Sequence, residues 1–224
     1  MTLLAQWKLQ DNAASTTVAA TVGSNGTLVG GDNTSVLFAA GGAGPGTALA
    51  GCLKFNGTDD AVNISSTALT GQFTFAWWQK RATTTSTEAA FGNSAVAVYV
   101  AIASNTTAMN IILISGGSTY TPAHGVTTTN WNHYALTRDA SNIVKFYVNG
   151  SLVNSNVGAG AVSGTVTVDR LGRRTVGFAS SYFADLRLYD SDESANIAAI
   201  VAEKDSSGSA ALLFATNDRF YRNR

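Results

Sequence analysis

Apolar residues recur at every second position along much of the chain. In QFTFAWWQK, Phe73, Phe75 and Trp77 alternate with Thr74, Ala76 and Trp78, the period of a β-strand whose side chains point to opposite faces. AVAVYVAIA and AMNIILIS follow, separated by the polar turn SNTT, and WNHYALTRD comes next. In NIVKFYVNGSLVNS, Asn149-Gly150 lies between two apolar runs. A two-residue type I′ hairpin needs positive φ at both central positions, which Asn and Gly accept. Short strands punctuated by turns predict a β-sandwich or barrel. One helix is predicted in DSDESANIAAIVAEK, with Asp190 as N-cap, Glu193 three residues on as in a capping box, and Ile197, Ile200 and Val201 on one face. FAAGGAGPGTALAG (Phe38 to Gly51) reads as a Gly/Ala loop leading into a strand. KDSSGSAALLFATNDRFYRNR reads as an arm with a Gly/Ser-rich start and two apolar contact segments. No repeat and no strong linker divides the rest, so residues 1–203 read as one sandwich domain and 204–224 as a C-terminal arm.

Composition narrows the function classes. The chain has 224 residues, 45% of them hydrophobic and 12% charged, about half the usual charged share of roughly 25%. Lys plus Arg and Asp plus Glu each number 14, so no basic field exists to hold a phosphate backbone and nucleic acid is not an expected partner. Between Glu88 and Arg138 no charged residue occurs. A surface so poor in charge does little to keep copies apart, which points to a protein attached to a larger body or assembled with itself. Cys52 is the only cysteine, so no internal disulfide forms. MTLLAQWKLQDN lacks the basic and apolar regions of a signal peptide. No apolar run approaches the ~18 residues of a membrane-spanning helix.

Candidate chemistry is sparse. LKFNGTDDAVNI holds the adjacent carboxylates Asp59 and Asp60. Neighbours on a strand face opposite ways, and Asn56-Gly57-Thr58 before them are turn formers, so the expected role is an Asx turn with a satisfied carboxylate. The alternative is a structural metal, which for oxygen ligands means Ca2+. Glycoside hydrolysis needs two converging carboxyl groups, yet the three glutamates, Glu88, Glu193 and Glu203, form no alternating acid pattern. No Gly-x-Ser-x-Gly elbow, zinc-ligand set or phosphate loop is present. Aromatic platforms remain. Trp77 and Trp78 must point to opposite faces of their sheet, so at least one leaves the main core, either as a sugar-stacking surface or under a covering loop or arm. Tyr120 and Tyr182, with Tyr99 and Phe178, are candidates to rim a loop-end site.

Five segments in order carry a resemblance. LLAQWKLQDN with SNGTLVGG, then CLKFNGTDDAVNI, GQFTFAWWQK, NWNHYALTRDASNIVKFYVNGSLV and FASSYFADLRLYD followed by a short helix together resemble laminin-G-like, concanavalin A-like lectin/glucanase domains, over about Leu3 to Glu203. The resemblance implies an all-β, two-sheet antiparallel jelly-roll sandwich with one short C-terminal helix and an extended tail. It implies core roles for Trp7 and Trp131, and a structural Ca2+ held by Asp185 with Asp59 or Asp60. The acidic segment that usually follows the first strand is here AASTTVAAT, without carboxylates. Such folds carry lectins, adhesion modules, glycosidases and viral surface proteins, so the fold alone does not choose a function. The expected function is a non-catalytic binding or structural module on a virion or extracellular surface. In the foremost version it is a phage decoration protein or adhesin whose arm, through Phe214, Phe220, Tyr221 and Arg222, docks onto capsid, tail or another copy. The alternative is a carbohydrate-binding module of a secreted or cell-surface protein, taking glycans through Trp77, Trp78, Tyr120 and Tyr182. A glycoside hydrolase stands last.

Overall fold

The alternating strands pair into two antiparallel sheets. The computed structural model describes residues 2–104, 107–114, 116–175 and 177–206. The first sheet orders β1 (Leu3–Trp7), β14 (Ser181–Tyr189), β6 (Phe73–Arg81), β10 (Asn132–Arg138), β11 (Val144–Val148) and β12 (Ser151–Asn154), with β4 (Leu53–Lys54) also paired to β14. The second orders β2 (Thr17–Val18), β3 (Gly26–Val29), β5 (Ala61–Leu69), β13 (Val166–Leu171), β7 (Glu88–Gly92), β8 (Tyr99–Ile102) and β9 (Met109–Ile112). Face to face they make the expected jelly-roll sandwich. The Asn149-Gly150 hairpin joins β11 and β12 with φ of 49° and 87°, as a type I′ turn requires.

The inner faces form one continuous core. Phe73, Phe75 and Trp77 of β6 meet Phe91, Val100 and Ile102 of the opposite sheet. Trp77 stacks on Tyr134 at 5.5 Å and meets Phe91 edge-on at 5.7 Å. Its indole Nε1 donates to Gln79 Oε1 at 3.0 Å. Gln79 Nε2 in turn donates to Ser181 Oγ at 2.9 Å, and that hydroxyl donates to the Glu88 carboxylate. Arg81 donates to the carbonyls of Ala103 and Ser86. These partners satisfy polar groups that would otherwise be costly to bury.

The outer face of the first sheet is covered too. Ile197 and Ile200 of α2 (Ile197–Ala202) lie over Ala76, Ala135, Tyr147 and Tyr189. Leu49 and Cys52 lie over Trp78 and Ala184. The segment carrying Leu49 is pinned by the 3-10 turn Glu203–Asp205, since Ala48 N and Leu49 N donate to Lys204 O at 2.8 and 3.3 Å. Residues 204–206 therefore pack with the domain. The rest of the arm, with Phe214, Phe220, Tyr221 and Arg222, lies outside the described residues.

Four local expectations change. The helix near the C-terminus begins later, after Asn196, because β14 runs on to Tyr189 and Asp190 N still donates to Thr2 O. Glu193 makes no capping box; its carboxylate accepts from Ser191 Oγ and Asn196 Nδ2. A helix absent from the sequence reading, α1 (Thr34–Gly41), takes in the first residues of the supposed Phe38–Gly51 loop. Asn33 caps it, its side chain accepting from Val36 N at 3.1 Å, and that cap outweighs the β-branched residues behind it. Trp7 is buried as expected, but Trp131 is only half-buried, on the outer face.

Replacing Trp77 with Ala should cost about 3–5 kcal/mol of stability, the usual range for emptying a large aromatic site, read from the urea-unfolding midpoint. His133 supplies a second check. It is buried beside Trp78, ring centroids 5.2 Å apart, and burial pushes its pKa down to about 3, with the Asp185 charge opposing and the Arg187 charge assisting. The unfolded chain binds this proton and the folded one does not, so stability falls as pH drops below about 6.5 towards 3. In His133→Phe the loss of stability between pH 7 and 4 should shrink by several kcal/mol relative to wild type; an unchanged pH slope would rule out this source of acid sensitivity.

Candidate ligand-binding site

The Asp59-Asp60 turn is built as the residue types dictate. Asn56 Oδ1 accepts from Thr58 N at 2.7 Å and Asp59 N at 3.1 Å, and Gly57 takes a φ of 80°. Asp59 Oδ1 accepts from Asn56 Nδ2 at 2.8 Å. Asp60 Oδ2 accepts from Asn56 N at 3.0 Å. The other oxygen differs from expectation. Asp60 is 1% exposed, and its Oδ1 is buried with no hydrogen-bond partner among the described residues. Burial raises its pKa to about 6; the nearby charges of Asp32 and Asp59 push the same way, and the Asn56 amide opposes.

That carboxylate lines a cavity of about 460 Å3 at one end of the sandwich. Asp32 enters from the turn before α1, Val36 and Ala40 from α1, Lys54 from β4, Thr83 from the segment after β6, and Tyr182 from β14. Gly30, with φ of 121°, makes room for the arrangement. A Cβ there would stand 2.7 Å from the Asp59 carbonyl oxygen and 2.9 Å from Asp60 Oδ1.

An aromatic and cationic row leads away from the cavity. Strand register sets Tyr182 opposite Lys54 on one side and Lys80 on the other. Lys54 Nζ lies 5.5 Å from the Tyr182 ring centroid and Lys80 Nζ lies 4.1 Å from it. Lys80 also sits 5.6 Å from the Trp131 ring, which meets Tyr182 edge-on at 6.5 Å. Trp131 is fixed by its Nε1, which donates to Ala43 O at 3.2 Å. Neither lysine has an ion-pair partner among the described residues.

Of the residues singled out from sequence, Asp60 and Tyr182 come together here. Trp77 and Trp78 do not present platforms: the first is enclosed between the sheets and the second lies under Leu49 and Cys52. Tyr120 packs on the edge of the main core beside Ile111, away from this cavity. Asp185 is taken up elsewhere, in a bulge of β14 with φ of 50°. Its Oδ1 accepts from Gln6 Nε2 at 2.6 Å and its Oδ2 from Arg187 Nε at 2.9 Å, so Asp59, Asp60 and Asp185 do not form the expected calcium set. Among the described residues, no three His, Cys, Asp or Glu side chains gather closely enough to hold a metal ion. Asp32, Lys54, Lys80 and Trp131 were not singled out as site residues. The one available signal was the position of Lys80, two residues after Trp78 and therefore on its outward face.

A family profile described as the concanavalin A-like lectin/glucanases superfamily matches residues 56–196. Among solved structures, the sialidase of Trypanosoma rangeli in complex with the inhibitor DANA superposes with a TM-score of 0.60 at 11% identity, over 89% of this chain and 32% of that one. The binding domain of botulinum neurotoxin DC in complex with rat synaptotagmin II gives 0.57 at 13%, over 91% and 52%. Domain 4 of an extracellular arabinanase from Geobacillus stearothermophilus, in complex with arabinotriose, gives 0.56 at 17%, over 89% and 98%. The chain thus spans about a third of the sialidase and half of the toxin domain. Likeness at these identities is likeness of fold. No curated protein matches the chain by sequence. The profile match covers more than half of the chain and coincides with the two-sheet jelly roll, so the protein belongs to the concanavalin A-like lectin/glucanases superfamily.

Proposed function

We propose that this chain is a non-catalytic glycan-binding module whose site is the cavity holding Asp60 together with the adjoining Tyr182–Trp131 surface. The observation that carries the reading is the unpartnered Asp60 Oδ1 in the cavity wall. A buried acceptor without a donor costs free energy, commonly about 1–3 kcal/mol, and such costs gather at functional sites. A sugar hydroxyl supplies the missing donor. The half-exposed rings of Tyr182 and Trp131 supply the apolar faces on which pyranose rings pack, and Val36, 47% exposed, adds an apolar rim. Domain 4 of the arabinanase, at 17% identity, is a glycan-complexed example of the same fold.

A second reading concerns attachment to an assembly, such as a virion surface or a cell exterior. Among the described residues, strand β12 is an edge of the first sheet and presents Leu152 and Val153, 52% and 43% exposed. An apolar edge of this kind offers backbone groups to another chain. Attachment and glycan binding would use opposite edges of the sheet and are compatible.

The test is a glycan array probed with the whole chain and with Tyr182→Ala and Asp60→Asn. Both variants should lose at least tenfold in affinity for any glycan bound; wild-type binding by both would sink the assignment. Asp60→Asn keeps an acceptor for Asn56 N and removes a charge that is costly to bury. Because the folded pKa is raised above its usual 3.8, the stabilising contribution of Asp60 is present below that value and is lost as pH rises through about 6. At pH 7 the variant should therefore be more stable than wild type by about 1–2 kcal/mol. A hydroxyl donating to Oδ1 favours the ionised carboxylate, so wild-type affinity should fall between pH 7 and pH 5, and that dependence should vanish in Asp60→Asn.

A further inference from the structure

Lys54 and Lys80 stand on either side of Tyr182 in adjacent strands, with both ammonium groups within 5.5 Å of one ring. Neither is neutralised by a described carboxylate. In a chain with only 14 basic residues, balanced by as many acidic ones, two cations flanking one ring without an ion-pair partner among the described residues are a marked local concentration of charge. The ring offsets part of their mutual repulsion, since each cation–π contact is worth about 0.5–1 kcal/mol at an exposed site. An anion would accept charge-assisted hydrogen bonds from the ammonium groups of this row.

We propose that the ligand of this site is an acidic glycan, whose sugars bear carboxylate or sulfate groups, with the anionic group held by the lysines that flank Tyr182. This rests on the glycan-binding reading and names the class of glycan. Two carboxylates and Lys54 share the cavity lining, and Lys80 carries the positive charge outward past Tyr182. Asp32 and Asp60 accept hydroxyl donors and repel an anion from the cavity floor, while the lysine row attracts one. A chain carrying both hydroxyls and acid groups is therefore held in one direction, with its neutral face towards Asp60 and its acid group over Tyr182. A neutral glycan leaves both ammonium groups unused. Single-stranded nucleic acid also combines stacking with negative charge, but it needs a positively charged groove along several phosphates. Here two lysines stand beside two carboxylates in a chain without net charge.

The experiment measures whole-chain affinity for matched polymers: polygalacturonate against its methyl ester, dextran sulfate against dextran, and a single-stranded oligonucleotide. One acidic polymer should bind at least tenfold tighter than its neutral partner, and the pair that responds identifies carboxylate or sulfate as the recognised group. That preference should decline when NaCl is raised from about 50 to about 300 mM, since exposed charges are screened. The double variant Lys54→Gln/Lys80→Gln should bind the acidic polymer no better than the neutral one. Lys54→Arg/Lys80→Arg should keep the preference. Lys145→Gln, outside the site, should bind as wild type, and melting temperatures report folding throughout. Equal affinity for acidic and neutral polymers overturns the acidic class and leaves the glycan-binding reading standing. Tighter binding to the oligonucleotide than to every glycan overturns the proposal in favour of nucleic acid. Binding to no glycan in either this panel or the array overturns both readings.

Discussion

Strand β6 is buried on both of its faces, and the rest of the molecule is arranged around that constraint. A β-strand in an ordinary sandwich buries one face and wets the other. Here Phe73, Phe75 and Trp77 fill the space between the sheets, while Ala76 and Trp78 also need shelter from water. Two separate pieces of chain provide it. Helix α2 covers the end of the strand near Ala76, and the segment between α1 and β4 covers Trp78. The hydrogen bonds from Ala48 and Leu49 to Lys204 join these two covers into one layer. A third layer of this kind excludes water from an outer face that the sheet alone would leave open.

The candidate site lies where this cover ends. Beyond Trp78 the next outward residue of β6 is Lys80, and its cross-strand neighbour is Tyr182. Neither has an apolar lid. Trp131, tethered to Ala43 in the same covering segment, closes the row on the far side. The segment that shields Trp78 thus also fixes one aromatic of the exposed surface. The cavity next to the row is lined by Val36 and Ala40 of α1, which connects β3 of the second sheet to β4 of the first, together with Asp60.

Much of this was legible in the chain, and what escaped has a common cause. The alternation in QFTFAWWQK, the positive-φ pair Asn149-Gly150 and the Asx turn at Asn56 are local, and each predicted its structure. The opposed faces of Trp77 and Trp78 were also readable, but what covers Trp78 was not. Alternation reports which face a side chain takes and says nothing about its neighbour across the sheet. Tyr182 was identifiable as an aromatic on the closing strand, yet its partners Lys54 and Lys80 lie 128 and 102 positions away in sequence. Strand register alone brings them together. α1 was lost because its cap, Asn33, precedes a run whose Thr, Val and Phe favour strands. The Glu193 capping box failed because the β14 pairing and the bond from Glu193 N to Thr74 Oγ1 hold that segment out of the helix.

Asp60 shows how the turn and the site are linked. An Asx turn needs only one carboxylate oxygen to close on Asn56, and any Asp facing solvent would do. Here the turn is pressed against Gly30, where no side chain fits, so the second oxygen is driven into the cavity instead of water. Asp32 stands at the same cavity and disfavours the charge further. A sequence selected for stability alone would place Asn at this position, retaining the turn and losing the penalty. The hydrogen bond to Asn56 N therefore does not by itself require a carboxylate at position 60. Lys54 lines the same cavity and Lys80 lies across Tyr182 from it, and two ammonium groups beside one ring without an ion-pair partner among the described residues add little to folding.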